Sequence, residues 1–167
     1  MKIHPAAIIP ATGIPSNAPP VKVLAISGMR DITPAGAETV TRTMRRALSV
    51  LHPTIVNFGG ARGVDTIALK AIASSSVTLI VYLPATRQDA PTEAYLSLPL
   101  ADRVIELKGD PSRPKTYLDR NSKMLENANA LLAFTDGQRK GGTWDAIKKT
   151  WKAGIPVYVV HIERSRT

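Results

Sequence analysis

Six short runs rich in apolar residues recur along the chain: Val21–Ile26, Thr54–Val56, Val77–Leu83, Arg103–Leu107, Asn129–Phe134 and Ile155–Val160. Stretches with apolar residues at helical spacing separate most of them. Ala37, Val40, Met44, Leu48 and Leu51 form one such stripe, and Val64, Ile67, Ala68, Ala71 and Ile72 form another. Strands that are apolar almost throughout must be covered on both faces. Strands alternating with helices imply parallel crossovers. The predicted fold is therefore α/β: a single Rossmann-like, doubly wound, mostly parallel sheet with helices on both faces. Such folds bind ligands beyond the carboxyl ends of the strands, near the point where strand order reverses.

The turns at that edge carry the chemistry. The first strand ends in Ser27-Gly28-Met29-Arg30-Asp31, with Thr33 as N-cap and Pro34 at the first helical position. The second ends in Asn57-Phe58-Gly59-Gly60-Ala61-Arg62-Gly63-Val64-Asp65. Glycines between a strand and a helix bring backbone N–H groups and the positive helix end to one point, which suits phosphate. Arg62 offers a planar fork for phosphate or carboxylate. Asp65 could accept from a sugar hydroxyl or hold Arg62, although a first-turn Asp often only complements the helix dipole. The fifth strand delivers Thr135-Asp136-Gly137 and then Gly141-Gly142-Thr143, with Thr143 the expected N-cap and Trp144, Ile147 and Trp151 along one face. Gly154 and Pro156 end that helix.

A helix expected from about Lys115 to Asn127 places Asn121 within its apolar stripe, beside Arg120. An unmade hydrogen bond there costs about 1–3 kcal/mol, so Asn121 needs core partners or a ligand. Thr86 to Asp89 opens a looser stretch that runs to Leu100 and either covers the site or merely connects.

Residues 1–20 hold five prolines without a sustained period and read as a flexible or extended arm; 21–162 form the domain and 163–167 a tail. The chain has 167 residues, enough for one domain with a full core. No apolar run approaches the ~20 residues of a membrane span, and no secretory signal is evident, so the expected location is cytoplasmic. Cysteine is absent, which excludes disulfides and thiolate chemistry. His4, His52 and His161 lack metal spacing, so neither metal nor cofactor is expected. Twenty-two Lys+Arg against 13 Asp+Glu give a net charge of +9, compatible with a nucleotide or nucleic-acid partner.

In order and type, Ser27-Gly28-Met29-Arg30, Gly59 to Asp65, Arg120-Asn121, and Asp136-Gly137 with Gly141-Gly142-Thr143 resemble the SLOG superfamily. This Rossmann-like group joins the DNA-processing protein A/Smf domain, the YspA/YpsA-like proteins and, more distantly, the LOG phosphoribohydrolases. The resemblance covers about Val21 to Ile162, and its Gly-x-Ala-Arg-Gly-x-Asp motif is the most specific part. It implies a nucleotide or nucleotide-derivative site on the predicted edge, and often a homodimer. LOG enzymes carry a catalytic Glu in Pro-Gly-Gly-x-Gly-Thr-x-x-Glu, with an upstream Arg that Arg120 could match. Here the Glu position is Ala146, and Asp145 lies one residue early, about 100° around the helix.

Three functions follow. The first is a domain that senses, carries or sequesters a nucleotide-derived ligand. Its phosphate would rest on the Gly59–Gly63 and Gly141–Thr143 turns with Arg30, Arg62 or Arg120, and its sugar or base on Asp65, Asn121 and Asp136. The second is a single-stranded DNA-binding recombination mediator using Arg42, Arg45, Arg46, Lys148, Lys149 and Lys152, although aromatics are only 5% of residues. The third is an N-glycoside hydrolase or transferase with Arg120 and Asp145 or Asp136. Ala146 favours binding over catalysis. Incubation with the four common nucleoside monophosphates should therefore release no free base by chromatography. Release near ~1 per second or faster, abolished by Asp145→Asn, is the contrary result.

Overall fold

The computed structural model describes residues 8–9 and 14–166. Seven strands form one sheet: β1 (Ile8–Ile9), β2 (Val23–Gly28), β3 (Ile55–Phe58), β4 (Thr78–Leu83), β5 (Arg103–Glu106), β6 (Ala130–Thr135) and β7 (Val157–His161). Their order is β1-β7-β6-β2-β3-β4-β5, and every neighbouring pair is parallel. The chain thus winds outward from β2 to β5, then crosses back to β6, and strand order reverses between β2 and β6. Helices α1 (Pro34–Leu51), α2 (Val64–Ile72), α3 (Thr92–Ser97), α4 (Pro114–Leu125) and α5 (Gly141–Lys152) complete it. The expected Rossmann-like α/β fold is the fold observed.

Two apolar layers sandwich the sheet. Val40, Met44 and Leu51 of α1, with Val64, Ala68 and Leu69 of α2, pack on one face around Phe58 and Phe134. Met124 and Leu125 of α4, with Ala146 and Ile147 of α5, pack on the other. Fully burying each large side chain contributes about 1.5–3 kcal/mol, so the strands stay apolar on both faces. Asn129 accepts the Val23 N–H through Oδ1 at 2.8 Å, locking the start of β2 to β6.

Several expectations change in detail. Thr33 does cap α1, accepting the Gly36 N–H at 3.0 Å. Thr143, by contrast, is not an N-cap: α5 opens at Gly141, where φ is +84°, and no side chain caps it. Glycine makes that sharp entry at no steric cost, so the helix starts three residues early. The stretch after β4 holds α3 and two 3-10 turns, Arg87–Asp89 and Leu98–Leu100, too short to show periodicity. In the Pro-rich arm, Ile8–Ile9 lie beside β7 and Ile14 is buried in the core; 1–7 and 10–13 lie outside the described residues. In the expected tail, Arg164 bridges to Ile32 and Ser165 donates to the Asp31 carbonyl at 3.0 Å.

The glycines of the second turn serve packing. A Cβ on Gly63 would lie 2.4 Å from the Arg30 carbonyl oxygen and 2.6 Å from that of Met29, at a φ of +77°. One on Gly28 would overlap the Val64 side chain. Gly154 also has positive φ, +74°, but nothing lies within 4 Å of its Cβ position. Gly63→Ala should therefore cost roughly 2–4 kcal/mol, combining left-handed backbone with overpacking. Gly154→Ala should cost only about 1–2 kcal/mol. Urea denaturation of the two variants checks the ordering; equal losses would contradict it.

Candidate functional site

At the reversal between β2 and β6, a cleft of about 320 Å³ opens beyond the strand ends. Ser27 to Asp31 at the end of β2, Thr135 and Asp136 at the end of β6, and Lys140 to Thr143 opening α5 form its walls. Asp65, Arg120 and Asn121 form its floor, and Arg164 reaches in from the chain end. Ten of the fifteen predicted ligand residues line it, namely Ser27, Gly28, Arg30, Asp65, Arg120, Asn121, Asp136, Gly141, Gly142 and Thr143, and an eleventh, Gly59, supports it, since its carbonyl accepts from Arg120 Nη1.

The other four fall elsewhere. Arg62 points away from the cleft and pairs with Asp31 at 2.6 Å, both side chains nearly half exposed. It is therefore not held by Asp65. Gly60 and Gly63 are filled by protein: a Cβ on Gly60 would lie 2.4 Å from Leu83. The phosphate cradle expected at Gly59–Gly63 is thus packed rather than open. Gly137 lies in the loop after β6, where its N–H donates to Thr135 Oγ1 at 3.2 Å.

Within the cleft wall, the glycines opening α5 are unfilled. At Gly141 nothing stands within 4 Å of a Cβ, and at Gly142 only Asn121 Nδ2 does, at 3.9 Å. An uncapped helix start presents free N–H groups and positive potential. Arg30 and Lys140 add charge there, and among the described residues neither has an ion-pair partner.

A buried polar chain supports the floor. Arg120 is 7% exposed and donates to the Gly59 carbonyl through Nη1 and to Asn121 Oδ1 through Nε at 3.1 Å. Asn121 in turn donates to the Gly142 carbonyl at 2.9 Å and to Asp145 Oδ2 at 3.2 Å. Asp145 also pairs with Lys149 at 2.9 Å. These are the core partners that Asn121 needs. Asp145 is thus tied to its own helix, and Ala146, at the LOG Glu position, is wholly buried against the sheet.

Asp65 is the anomaly. One oxygen accepts the Ala61 N–H at 3.1 Å, while buried Oδ1 has no partner. Burial pushes its pKa from 3.8 up to about 6, against the opposing pull of Arg120, the Ala61 N–H and Arg30. Asp136 behaves differently. Burial alone would raise it, but the bonds from Arg164 (2.9 Å) and the Gln138 N–H (3.1 Å) hold it below the usual range. Sequence reasoning passed over Lys140 and Arg164 as site residues. Lys140 is signalled by its place before Gly141, whereas Arg164 carries no local signal. No group of three His, Cys, Asp or Glu among the described residues could hold a metal, and no described helix is long and apolar enough to cross a membrane.

No protein-family model matches the chain, and no curated protein matches it in sequence. Solved structures share its fold. It is similar to DNA processing protein A from Streptococcus pneumoniae (TM-score 0.67, 17% identity), covering 83% of this chain and 50% of that one. A structure of DNA processing protein A from Helicobacter pylori, concerned with its single-stranded DNA binding mode, gives 0.65 and 20% identity, covering 83% and 64%. The molybdenum cofactor binding protein of Rippkaea orientalis gives 0.62 and 16% identity, covering 85% and 77%. The chain thus spans about half to two thirds of the two DNA processing proteins. The Rossmann-like fold implied by the sequence motifs is the fold these proteins share.

Because the Asp65 carboxyl titrates near its ordinary value once unfolded, folding penalises its charged form. The penalty is absent below about pH 4 and complete above about pH 6. The rise from 3.8 to about 6 corresponds to about 3 kcal/mol. Wild type should lose roughly that stability relative to Asp65→Asn as pH rises from 4 to 7, read by urea denaturation. A difference independent of pH would exclude a buried, partnerless Asp65.

Proposed function

We propose that this protein binds a nucleotide or nucleotide-derived small ligand in the cleft between β2 and β6. The observation that carries the reading is one juxtaposition. An uncapped helix start with two open glycines and the buried Asp65, one of whose carboxylate oxygens has no partner, line a single cleft. The first is an anion site and the second a hydrogen-bond acceptor. A phosphate on α5, joined to a sugar or ring whose O–H or N–H reaches Asp65 Oδ1, satisfies both. Arg30 and Lys140 supply charge-assisted bonds to the phosphate. Arg120 holds the floor through Gly59 and Asn121 and lends it positive potential.

Binding without turnover fits the rest of the cleft. The carboxylates near α5 are engaged, Asp145 with Lys149 and Asp136 with Arg164. Neither is free to stabilise developing positive charge on a sugar, Ala146 stands at the LOG Glu position, and Asp65 takes the role of acceptor for a ligand O–H or N–H. The fold neighbours include a protein named for binding molybdenum cofactor and one studied for single-stranded DNA, so both a small ligand and a strand have precedent. The net charge of +9 favours a strand. Against it, Trp144 is covered by Arg139 and Lys148, whose charged groups lie 5.6 and 6.0 Å from its ring centroid, leaving little bare stacking surface beside the cleft.

Gly142→Glu tests the site. A carboxylate in the first turn of α5 suits the helix dipole, and the Gly142 Cβ position is open, so melting temperature should hold. The same carboxylate would occupy the anion position and repel phosphate. Calorimetry with nucleoside monophosphates should show affinity reduced at least about tenfold, or 1.4 kcal/mol. Undiminished binding would move the phosphate off α5. A gel shift with a ~30-nucleotide strand, falling steeply with salt while mononucleotides fail to bind, would favour DNA instead.

A further inference from the structure

A second chamber of about 90 Å³ adjoins the cleft, and the two share Arg30, Ala61 and Arg120 as lining. They are lobes of one depression. Leu83, Pro84, Ala85, Ala90, Pro91 and Tyr117 wall the small lobe together with Arg30, Thr86, Asp89 and Arg120, while charged groups and backbone amides line the large one. Rigid prolines fix the wall, and the Gly109 N–H ties the Pro84 carbonyl at 2.9 Å.

Where the lobes meet, the Arg30 guanidinium lies over the Tyr117 ring, 5.4 Å from its centroid. One planar group is already stacked on that ring. The volume is that of about three waters at ~30 Å³ each, too small for a sugar phosphate and suited to a flat ring. At the rim, Asp89 Oδ2 is used by the Thr86 N–H and hydroxyl at 3.3 and 2.7 Å. Asp89 Oδ1 makes no hydrogen bond among the described residues, so the rim offers an acceptor.

We propose that this chamber is a base subsite, taking the planar heterocycle of a mononucleotide against the Arg30–Tyr117 pair while its sugar and phosphate occupy the larger cleft. This rests on the reading of the cleft as a sugar–phosphate site. Arg30, common to both lobes, then serves twice, with its flat face toward the ring system and its N–H groups toward the phosphate. The acceptor at Asp89 favours a base with an amino group at its edge, so the ligand is a mononucleotide such as CMP rather than a bare sugar phosphate.

Calorimetry with CMP and ribose 5-phosphate on wild type, Ala90→Leu and Tyr117→Leu tests this, with thermal melting to confirm folding. Wild type should bind CMP at least tenfold more tightly than ribose 5-phosphate. Ala90→Leu fills the chamber and Tyr117→Leu removes the stacking ring. Each should bring CMP down to the affinity of ribose 5-phosphate, leaving that of ribose 5-phosphate unchanged, and Tyr117→Phe should restore CMP. Equal wild-type binding of the two ligands, or CMP affinity surviving Ala90→Leu, would overturn the subsite. If Ala90→Leu fails to fold, Tyr117→Leu decides by the same comparison. Loss of ribose 5-phosphate binding alone counts against the sugar–phosphate cleft, and CMP in the variants still judges the chamber. Binding of neither ligand overturns both.

Discussion

The candidate site depends on one buried guanidinium. Arg120 sits under the strand ends, 7% exposed, and joins three separate parts of the chain. It donates to the Gly59 carbonyl after β3 and to Asn121 on its own helix, and Asn121 passes the connection to the first turn of α5. A buried cation without such bonds costs several kcal/mol. The need to satisfy it therefore fixes where the β3–α2 turn lies relative to the α5 start. Glycine at 59 belongs to the same constraint, because a Cβ there would lie 2.9 Å from Arg120 Nη1.

Two kinds of glycine result, and they do opposite things. Gly28, Gly60 and Gly63 allow the β2 and β3 turns to nest, with Val64, Leu83 and the Met29–Arg30 backbone in the places where side chains would be. Gly141 and Gly142 have open space instead. The first set builds the rigid wall of the cleft, and the second exposes amides to it. An identical sequence sign, small residues between a strand and a helix, thus marks tight packing in one turn and an accessible helix end in another.

This ambiguity sets the limit of what the sequence tells. Strand and helix order was legible, because apolar runs and helical periodicity are local properties; β2 to β7 lie within two residues of the expected runs at either end. The Asn121 anomaly was legible too, since a polar residue in an apolar stripe demands a partner. Arg62 misled, because its motif position says nothing about direction, and a turn of the backbone aims it at Asp31 instead. Short α3 carries six residues, too few for periodicity. Arg164 joins the cleft only through a chain reversal after β7 that no local pattern announces.

The electrostatics of the floor underlie the proposal that an anion with hydrogen-bond donors is its complement. Arg120 and Asp65 feel each other, yet burial pulls both toward neutrality: the carboxyl rises to about 6 and the guanidinium is lowered. No ion pair joins them among the described residues, so neither charge is fully compensated by the other. A phosphate near the guanidinium and the α5 start would offset the positive charge. An O–H or N–H donor at Asp65 Oδ1 would relieve the carboxylate and lower its pKa again. A ligand carrying both groups would remove two separate costs of burial, whereas inorganic phosphate would remove only one. On the proposed reading, the unbalanced floor therefore favours the combination of phosphate and donor over negative charge alone.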